Sequence, residues 1–224
     1  MNRLCVVMFG PPGSGKGTQA KLLQEYFGVA HISTGDMLRE RVASGDALGR
    51  EVAGIMNSGN LVPDETVNQM VEERIERADC SAGFILDGYP RTVNQARLLV
   101  ELLKRKGITP LVIHLKLDYN EIVARLAGRR VCPQCGASYN LASNPPALPD
   151  VCDHCGSKLL IRDDDREEVV RERLNAYGRK TAPVLEFFSS AGYTPFEVEG
   201  GSRTPQAIVR EIENLIEAHH GKAA

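Results

Sequence analysis

The chain has 224 residues, enough to bury a sizeable core in one domain with insertions or in two small domains. Its 42% hydrophobic and 25% charged residues are those of a soluble globular protein, and a formal net charge of −2 speaks against general nucleic-acid binding, which needs a basic field. No stretch approaches a membrane span and the first apolar run is too short for a signal peptide, so the expected compartment is the cytoplasm, where six cysteines serve as thiols or metal ligands.

The first apolar run, Leu4 to Phe9, is short and closed by glycine, which predicts a buried parallel strand. Gly10-Pro11-Pro12-Gly13-Ser14-Gly15-Lys16-Gly17-Thr18 follows, and then Ala20, Leu23 and Phe27 fall on one helical face. Strand, glycine loop and helix in that order are what a phosphate-binding loop requires: inward N–H groups, the point charge of Lys16 and an electropositive helix start. Gly17 stands where such loops carry a metal-binding hydroxyl, and Thr18 comes one later. A Mg²⁺ here is therefore expected to be held through waters and the nucleotide's own phosphates. Ser33 and Asp36 have helix-start spacing, and beside such a loop a helix start followed by Arg39 is also a second anion site. Asp64 is expected to cap a helix carrying Val67, Met70, Val71 and Ile75 inward.

Phe84-Ile85-Leu86 predicts the second clear buried strand, ending at Asp87-Gly88-Tyr89-Pro90-Arg91-Thr92. A carboxylate at that end faces the crevice where open α/β sheets bind ligands, so Asp87 is expected to orient Mg²⁺-bound water. A helix over 92–106 with Ala96, Leu99 and Leu103 inward, a third strand over 111–117 and a helix capped by Asp118 follow, the last carrying Arg125 and Arg129 on one face. Cys132-x-x-Cys135 and Cys152-x-x-Cys155, separated by sixteen residues, have Cys₄ zinc-ribbon spacing. The insert between them has too little apolar content to fold alone, a deficit that structural Zn²⁺ can supply at roughly 10–16 kcal/mol. His154 reads as surface, and Cys5 and Cys80 as inert buried thiols. Pro183 marks a break or kink in the later helical run, 194–198 a last strand, and Thr204-Pro205 the cap of a final amphipathic helix before a frayed end at 219–224.

Alternating strands and helices give a parallel sheet with helices on both faces, interrupted by inserts at roughly 33–62 and 128–165. No general base sits in any of these motifs. Phosphoryl transfer to an existing phosphate needs none, since the acceptor oxygen is already anionic.

The loop Gly10 to Thr18, the runs Ile32 to Arg39 and Phe84 to Thr92, Gly128-Arg129-Arg130 and Arg162-x-Asp164-Asp165 together resemble adenylate kinase in its bacterial, long-lid, zinc-binding form. The resemblance runs from the first strand to the last helix. It implies a P-loop three-layer α/β/α fold with a central parallel five-stranded sheet, a core of 1–32, 63–127 and 166–224, an AMP-binding subdomain over 33–62 and a zinc-binding lid over 128–165. It implies ATP + AMP = 2 ADP with Mg²⁺, structural Zn²⁺ on Cys132, Cys135, Cys152 and Cys155, a monomer, and no nucleic-acid or membrane partner. Carried over by position, Gly13, Ser14, Gly15, Lys16, Gly17 and Thr18 hold the ATP phosphates, with Lys16 on the transferring group. Thr34, Arg39, Gly88, Tyr89, Pro90, Arg91 and Gln95 bind AMP, joined by backbone around Asn60, Leu61 and Val62. Arg125 and Arg129 contact ATP, Ser138 and Tyr139 pack on the ATP side of the lid, and Arg162 and Arg173 reach phosphates, including those of AMP. The family's ATP-base contact has no assigned counterpart in the stretch 199–203. Two rivals stay open: a related kinase with GTP as donor or UMP/CMP as acceptor, and a zinc-ribbon module that binds nucleic acid or protein with the P-loop as a switch.

Overall fold

The computed structural model describes residues 3–201 and 203–220, the last without its side chain, so the frayed end predicted at 221–224 lies outside the described residues. The chain runs β1 (Leu4–Phe9), α1 (Lys16–Phe27), β2 (Ala30–Ser33), α2 (Thr34–Ala43), α3 (Ala47–Asn57), α4 (Asp64–Ile75), β3 (Gly83–Asp87), α5 (Val93–Arg105), β4 (Pro110–Lys116) and α6 (Tyr119–Ala127). It continues through β5 (Arg129–Val131), β6 (Ser138–Asn140), α7 (Glu167–Ala176), α8 (Pro183–Ser190), β7 (Phe196–Glu199) and α9 (Pro205–His220). Five strands form one parallel sheet in the order β2-β3-β1-β4-β7, as the sequence leads one to expect.

Period-two alternation builds three layers. Cys5, Val7 and Phe9 of β1 point with Phe84 and Leu86 into a core closed by α4, α5 and α8. Leu4, Val6 and Met8 point the other way, with Ile113 and Leu115, against Ala20 and Leu23 of α1 and Ile208, Ile212 and Ile216 of α9. Every residue of β1 is buried, which is why it reads as an unbroken apolar run. The connection after β1 passes over β3 to reach β2, whereas that after β3 returns over β1 to β4. The carboxyl end of β1 therefore lies where crossovers diverge, the place open α/β sheets leave a crevice.

Several local expectations change. Ala30–Ser33 is a strand that no apolar run announces, because His31 and Ser33 alternate with the buried Ala30 and Ile32. Asp64 does not cap α4: Pro63 holds that position, and the Asp64 carboxylate accepts instead from Thr92, Asn94 and Gln95. Helix α6 stops at Ala127, so Arg129 leaves Arg125's helical face and belongs to β5. The break before Pro183 is a single π-helical stretch, Tyr177–Thr181, after which Pro183 opens α8 at the position where a missing N–H costs least. The last strand is Phe196–Glu199, and α9 runs through His220, with the His219 ring packed 4.4 Å from that of Phe196 rather than fraying. Ser33, Asp118 and Thr204 accept backbone N–H groups as predicted for caps, and Thr92, expected as the first helical residue, caps α5 by accepting from Gln95 N. No helix among the described residues is long and apolar enough to cross a membrane.

Between α6 and α7 the chain forms a small separate layer. Antiparallel β5 and β6 and three isolated bridges, Val131 with Leu160, Asn140 with Asn144 and Val151 with Lys158, surround a small buried cluster of Cys132, Tyr139, Cys152 and Leu159, with Ala137 packed against it. This layer rests on the body of the molecule where Lys21 Nζ of α1 donates to Gly136 O at 3.0 Å.

Candidate active site

The glycine loop leaves β1 and turns directly into α1. Gly13 has φ +81°, and a Cβ there would lie 2.9 Å from Leu126 Cγ, so both conformation and space call for glycine. Helix α1 has no acidic residue in its first turn, which leaves its electropositive end uncompensated. Lys16 Nζ donates to Gly10 O and Pro11 O, each at 2.8 Å, so the ammonium curls over the loop. Burial pulls its pKa down to about 8; Asp87 opposes that shift, and Arg91, Arg173 and Arg129 add to it. At Gly17 an added Cβ would stand 3.2 Å from Asp87 Oδ2. The position that carries a hydroxyl in other such loops therefore faces a carboxylate supplied by β3.

That carboxylate closes β3. Burial alone would raise its pKa, but the neighbouring His31 and the charges of Lys16 and Arg91 outweigh burial and hold it below the usual range, so Asp87 is an anion. His31 Nε2 lies 3.5 Å from Asp87 Oδ2. Past β3, Tyr89-Pro90 is a cis peptide, and the Tyr89 hydroxyl donates to Asn68 Oδ1 at 2.7 Å. Arg91 Nε and Thr34 Oγ1 both donate to Gly88 O, at 2.7 and 2.9 Å. The Gln95 side chain accepts from Arg91 N at 2.7 Å and donates to Asp64 at 2.8 Å, which fixes the turn against α4 and α5. Arg39 pairs with Asp36 at 2.5 Å, while Asn60, Leu61 and the buried Val62 form the opposite lip.

The remaining cations arrive from the far side. Arg125 donates to Gly200 O and Gly201 O, tying α6 to the loop after β7. Arg129 and Arg173 share Asp165, whose side chain has no exposure; Arg129 Nε lies 2.6 Å from Oδ2 and Arg173 Nη1 3.1 Å from Oδ1. Arg173 also meets Asp164 at 3.0 Å. Burial lowers the pKa of both Arg91 and Arg162 to about 10, helped in Arg91 by Arg173 and in Arg162 by Arg39 and Arg129. Cations crowded in this way are relieved by a polyanion placed between them.

The glycine loop, His31, Asp87, Asp164 and the six arginines line one cleft of about 780 Å³, while Asp64, Asn68 and Asp165 support it from outside that lining. Every residue predicted to touch a nucleotide lines it: Gly13 to Thr18, Thr34, Arg39, Asn60 to Val62, Asp87 to Arg91, Gln95, Arg125, Arg129, Ser138, Tyr139, Arg162 and Arg173. Tyr139 also faces inward, its hydroxyl accepting from Asp153 N at 2.8 Å and lying 3.5 Å from Cys152 Sγ. Among the described residues, two buried side-chain polar atoms have no hydrogen-bond partner, Gln19 Oε1 and His31 Nε2, and both residues line the cleft. Neither stands out in the sequence. Asp64, which steadies Gln95 across thirty-one positions, is likewise invisible to local spacing.

The sulfurs of Cys132, Cys135, Cys152 and Cys155 all lie within 4.8 Å of one another. Contacts of 3.4 Å (Cys132 with Cys155) and 3.5 Å (Cys135 with Cys152) are close to the edge of about 3.8 Å of a tetrahedron with Zn–S of about 2.3 Å, so the donor set fits Zn²⁺. Exposed His154 is not part of that group, and Cys5 and Cys80 are buried far from it, their thiol pKa values raised by burial.

The family model described as adenylate kinase matches residues 8–193. The adenylate kinase of Pseudothermotoga lettingae is 48% identical over 212 residues, covering 94% of this chain and 97% of its own. Those of Fervidobacterium nodosum (49% over 212 residues, 94% and 96% covered) and Archaeoglobus fulgidus (45% over 214 residues, 95% and 97% covered) are similar to the same extent.

Proposed function

The chain belongs to the adenylate kinase family, and on that premise we propose that it catalyses the reversible transfer of the terminal phosphoryl of ATP to AMP, giving two ADP. One observation carries the proposal. The glycine loop at the end of β1 and the turn at the end of β3 open on a single cleft, with Arg39, Arg91, Arg125, Arg129, Arg162 and Arg173 between them. Two anions laid end to end would be gripped there, and a protein that bound one nucleotide as a switch would not need the second set of cations.

The loop N–H groups and Lys16 receive the donor phosphates, and transfer draws Lys16 away from Gly10 O and Pro11 O onto the moving group. Thr34, Arg39, Gly88, Arg91 and Gln95 hold AMP, with Tyr89 and Pro90 shaping its turn and the backbone of 60–62 closing over it. Arg125 and Arg129 serve the donor, while Arg162 and Arg173 bridge toward the acceptor phosphate. The chemistry reduces to alignment and neutralisation, because the attacking oxygen is already charged. Magnesium, brought with ATP, supplies neutralisation of the donor phosphates; Asp87 would hold it through water, since Gly17 offers no hydroxyl. Zinc on the four cysteines would be structural, all its positions being filled by sulfur.

The arms over 33–62 and 128–165 close on the core 1–32, 63–127 and 166–224 to exclude water, which competes with AMP as acceptor. The contact of Lys21 with Gly136 supports this reading as one seat of the closed lid. The working form is a cytoplasmic monomer. A coupled assay with ATP or GTP as donor and AMP, UMP, CMP or GMP as acceptor tests the whole: ADP formation from ATP and AMP is expected, and preference for another pair, or none, overturns it.

A further inference from the structure

His31 sits in the second position of β2, paired across the sheet with Ile85 and two residues ahead of the α2 cap. Its side chain is 8% exposed and its Nε2 has no hydrogen-bond partner among the described residues. Buried polar groups are seldom left so, and each exception at a functional site requires an explanation. Asp87 Oδ2, the same oxygen that faces Gly17, stands 3.5 Å from His31 Nε2. We propose that His31 is a positioning residue for Asp87: as the Nε2–H tautomer it donates to Oδ2, fixing the carboxylate so that its other oxygen faces the cleft. This inference rests on the proposed role of Asp87 toward magnesium-bound water.

The alternatives for that carboxylate are poor. Gly17 offers it no side chain, and Lys16 Nζ is turned to the loop carbonyls. Without His31 the group would be free to rotate onto the ammonium, removing both the lysine and the carboxylate from their tasks. Hydrogen bonds of this kind are often long in a ligand-free site and tighten in the complex. A histidine that orients a carboxylate beside a metal typically matters by about 10–100-fold in metal affinity or activity when removed.

The test uses the full chain as His31→Ala, His31→Gln, Asp87→Asn and the double variant, each normalised to its folded fraction by thermal melting. Retention of Mn²⁺ by the enzyme–ATP complex is read from water-proton relaxation, and kcat and KM from the coupled assay. His31→Ala is expected to weaken Mn²⁺ retention and lower kcat by about tenfold with KM for AMP within about twofold. His31→Gln, which keeps an N–H, restores most of both, and Asp87→Asn shifts the His31 imidazole ¹⁵N resonances. In the Asp87→Asn background, loss of His31 adds nothing. A His31→Ala enzyme that melts lower but keeps its kcat and Mn²⁺ retention, or one whose losses persist in the double variant, overturns the inference alone. If Asp87→Asn itself leaves Mn²⁺ retention and magnesium dependence unmoved, the role given to Asp87 fails first and that of His31 with it.

Discussion

Phe84 in β3 and Leu159 in the lid are both almost fully buried, yet they sit in cores of very different size. Phe84 belongs to a layer that joins β1, β3, α4, α5 and α8, whereas Leu159 shares a four-residue cluster with Cys132, Tyr139 and Cys152, flanked by Ala137. Burial on that first scale supplies the stability of the molecule; burial on the second cannot offset the entropy of ordering nearly forty residues. On the reading proposed above, the lid would draw its rigidity from the four sulfurs around an ion. Stability and closure would then belong to separate parts, and such a lid would open without disturbing the sheet.

The sharpest way to break this contrast is to remove chemistry from the rigid part. Lys16→Met is expected to lower kcat by on the order of 10³-fold while leaving the circular dichroism spectrum and melting temperature nearly unchanged. A variant of this kind that retained more than a tenth of its activity would move the transferring group away from the glycine loop. Next come the two cores. Phe84→Ala should cost about 3–5 kcal/mol of global stability by denaturant unfolding, whereas Leu159→Ala should leave the main transition in place and lower only the protection of lid amides in hydrogen exchange.

Between those regions stands Asp165. Asp165→Ala strands Arg129 in a largely buried setting and leaves Arg173 with Asp164 alone, and a loss of about 3 kcal/mol is expected, together with a fall in turnover as the two guanidiniums lose their shared anchor. Stripping the metal with a chelator should release about one zinc per chain and depress activity far more at about 45 °C than at about 10 °C, since the ribbon loses order before the cleft loses its cations. Equal loss at both temperatures would make the ion part of the chemistry.

The smallest effect concerns protons. The Lys16 pKa is lowered in the free site, to about 8, so between there and its ordinary value the folded, empty protein holds a neutral amine where the unfolded chain holds an ammonium. The unfolded state binds more protons in that window, so this group's contribution to stability rises with pH across it. A phosphate ligand reverses the shift. Binding of ATP above about pH 8 should therefore take up a proton, visible as buffer-dependent heats in calorimetry, and affinity should fall as pH climbs.

Much of the site could be read from the chain because its motifs are local. A glycine loop after an apolar run, two Cys-x-x-Cys knuckles and a turn closing Phe84-Ile85-Leu86 each carry their geometry within a few residues. What escaped reading depends on distance in sequence. His31 meets Asp87 only because β2 and β3 pair in register, and β2 itself is hidden by its alternating polar residues. Arg129 takes its place from β5, after α6 has ended, and its partner is thirty-six positions away. The Asp64 carboxylate looks like a cap until α5 approaches it.

The sharing of one unexposed carboxylate by Arg129 and Arg173 bears on how the cycle ends. When the products leave, these guanidiniums keep a resident counterion, so emptying the cleft does not leave them to repel each other or wait for salt to diffuse in. The vacated enzyme is already poised for its next pair of nucleotides, and dissociation is opposed by that much less electrostatic work.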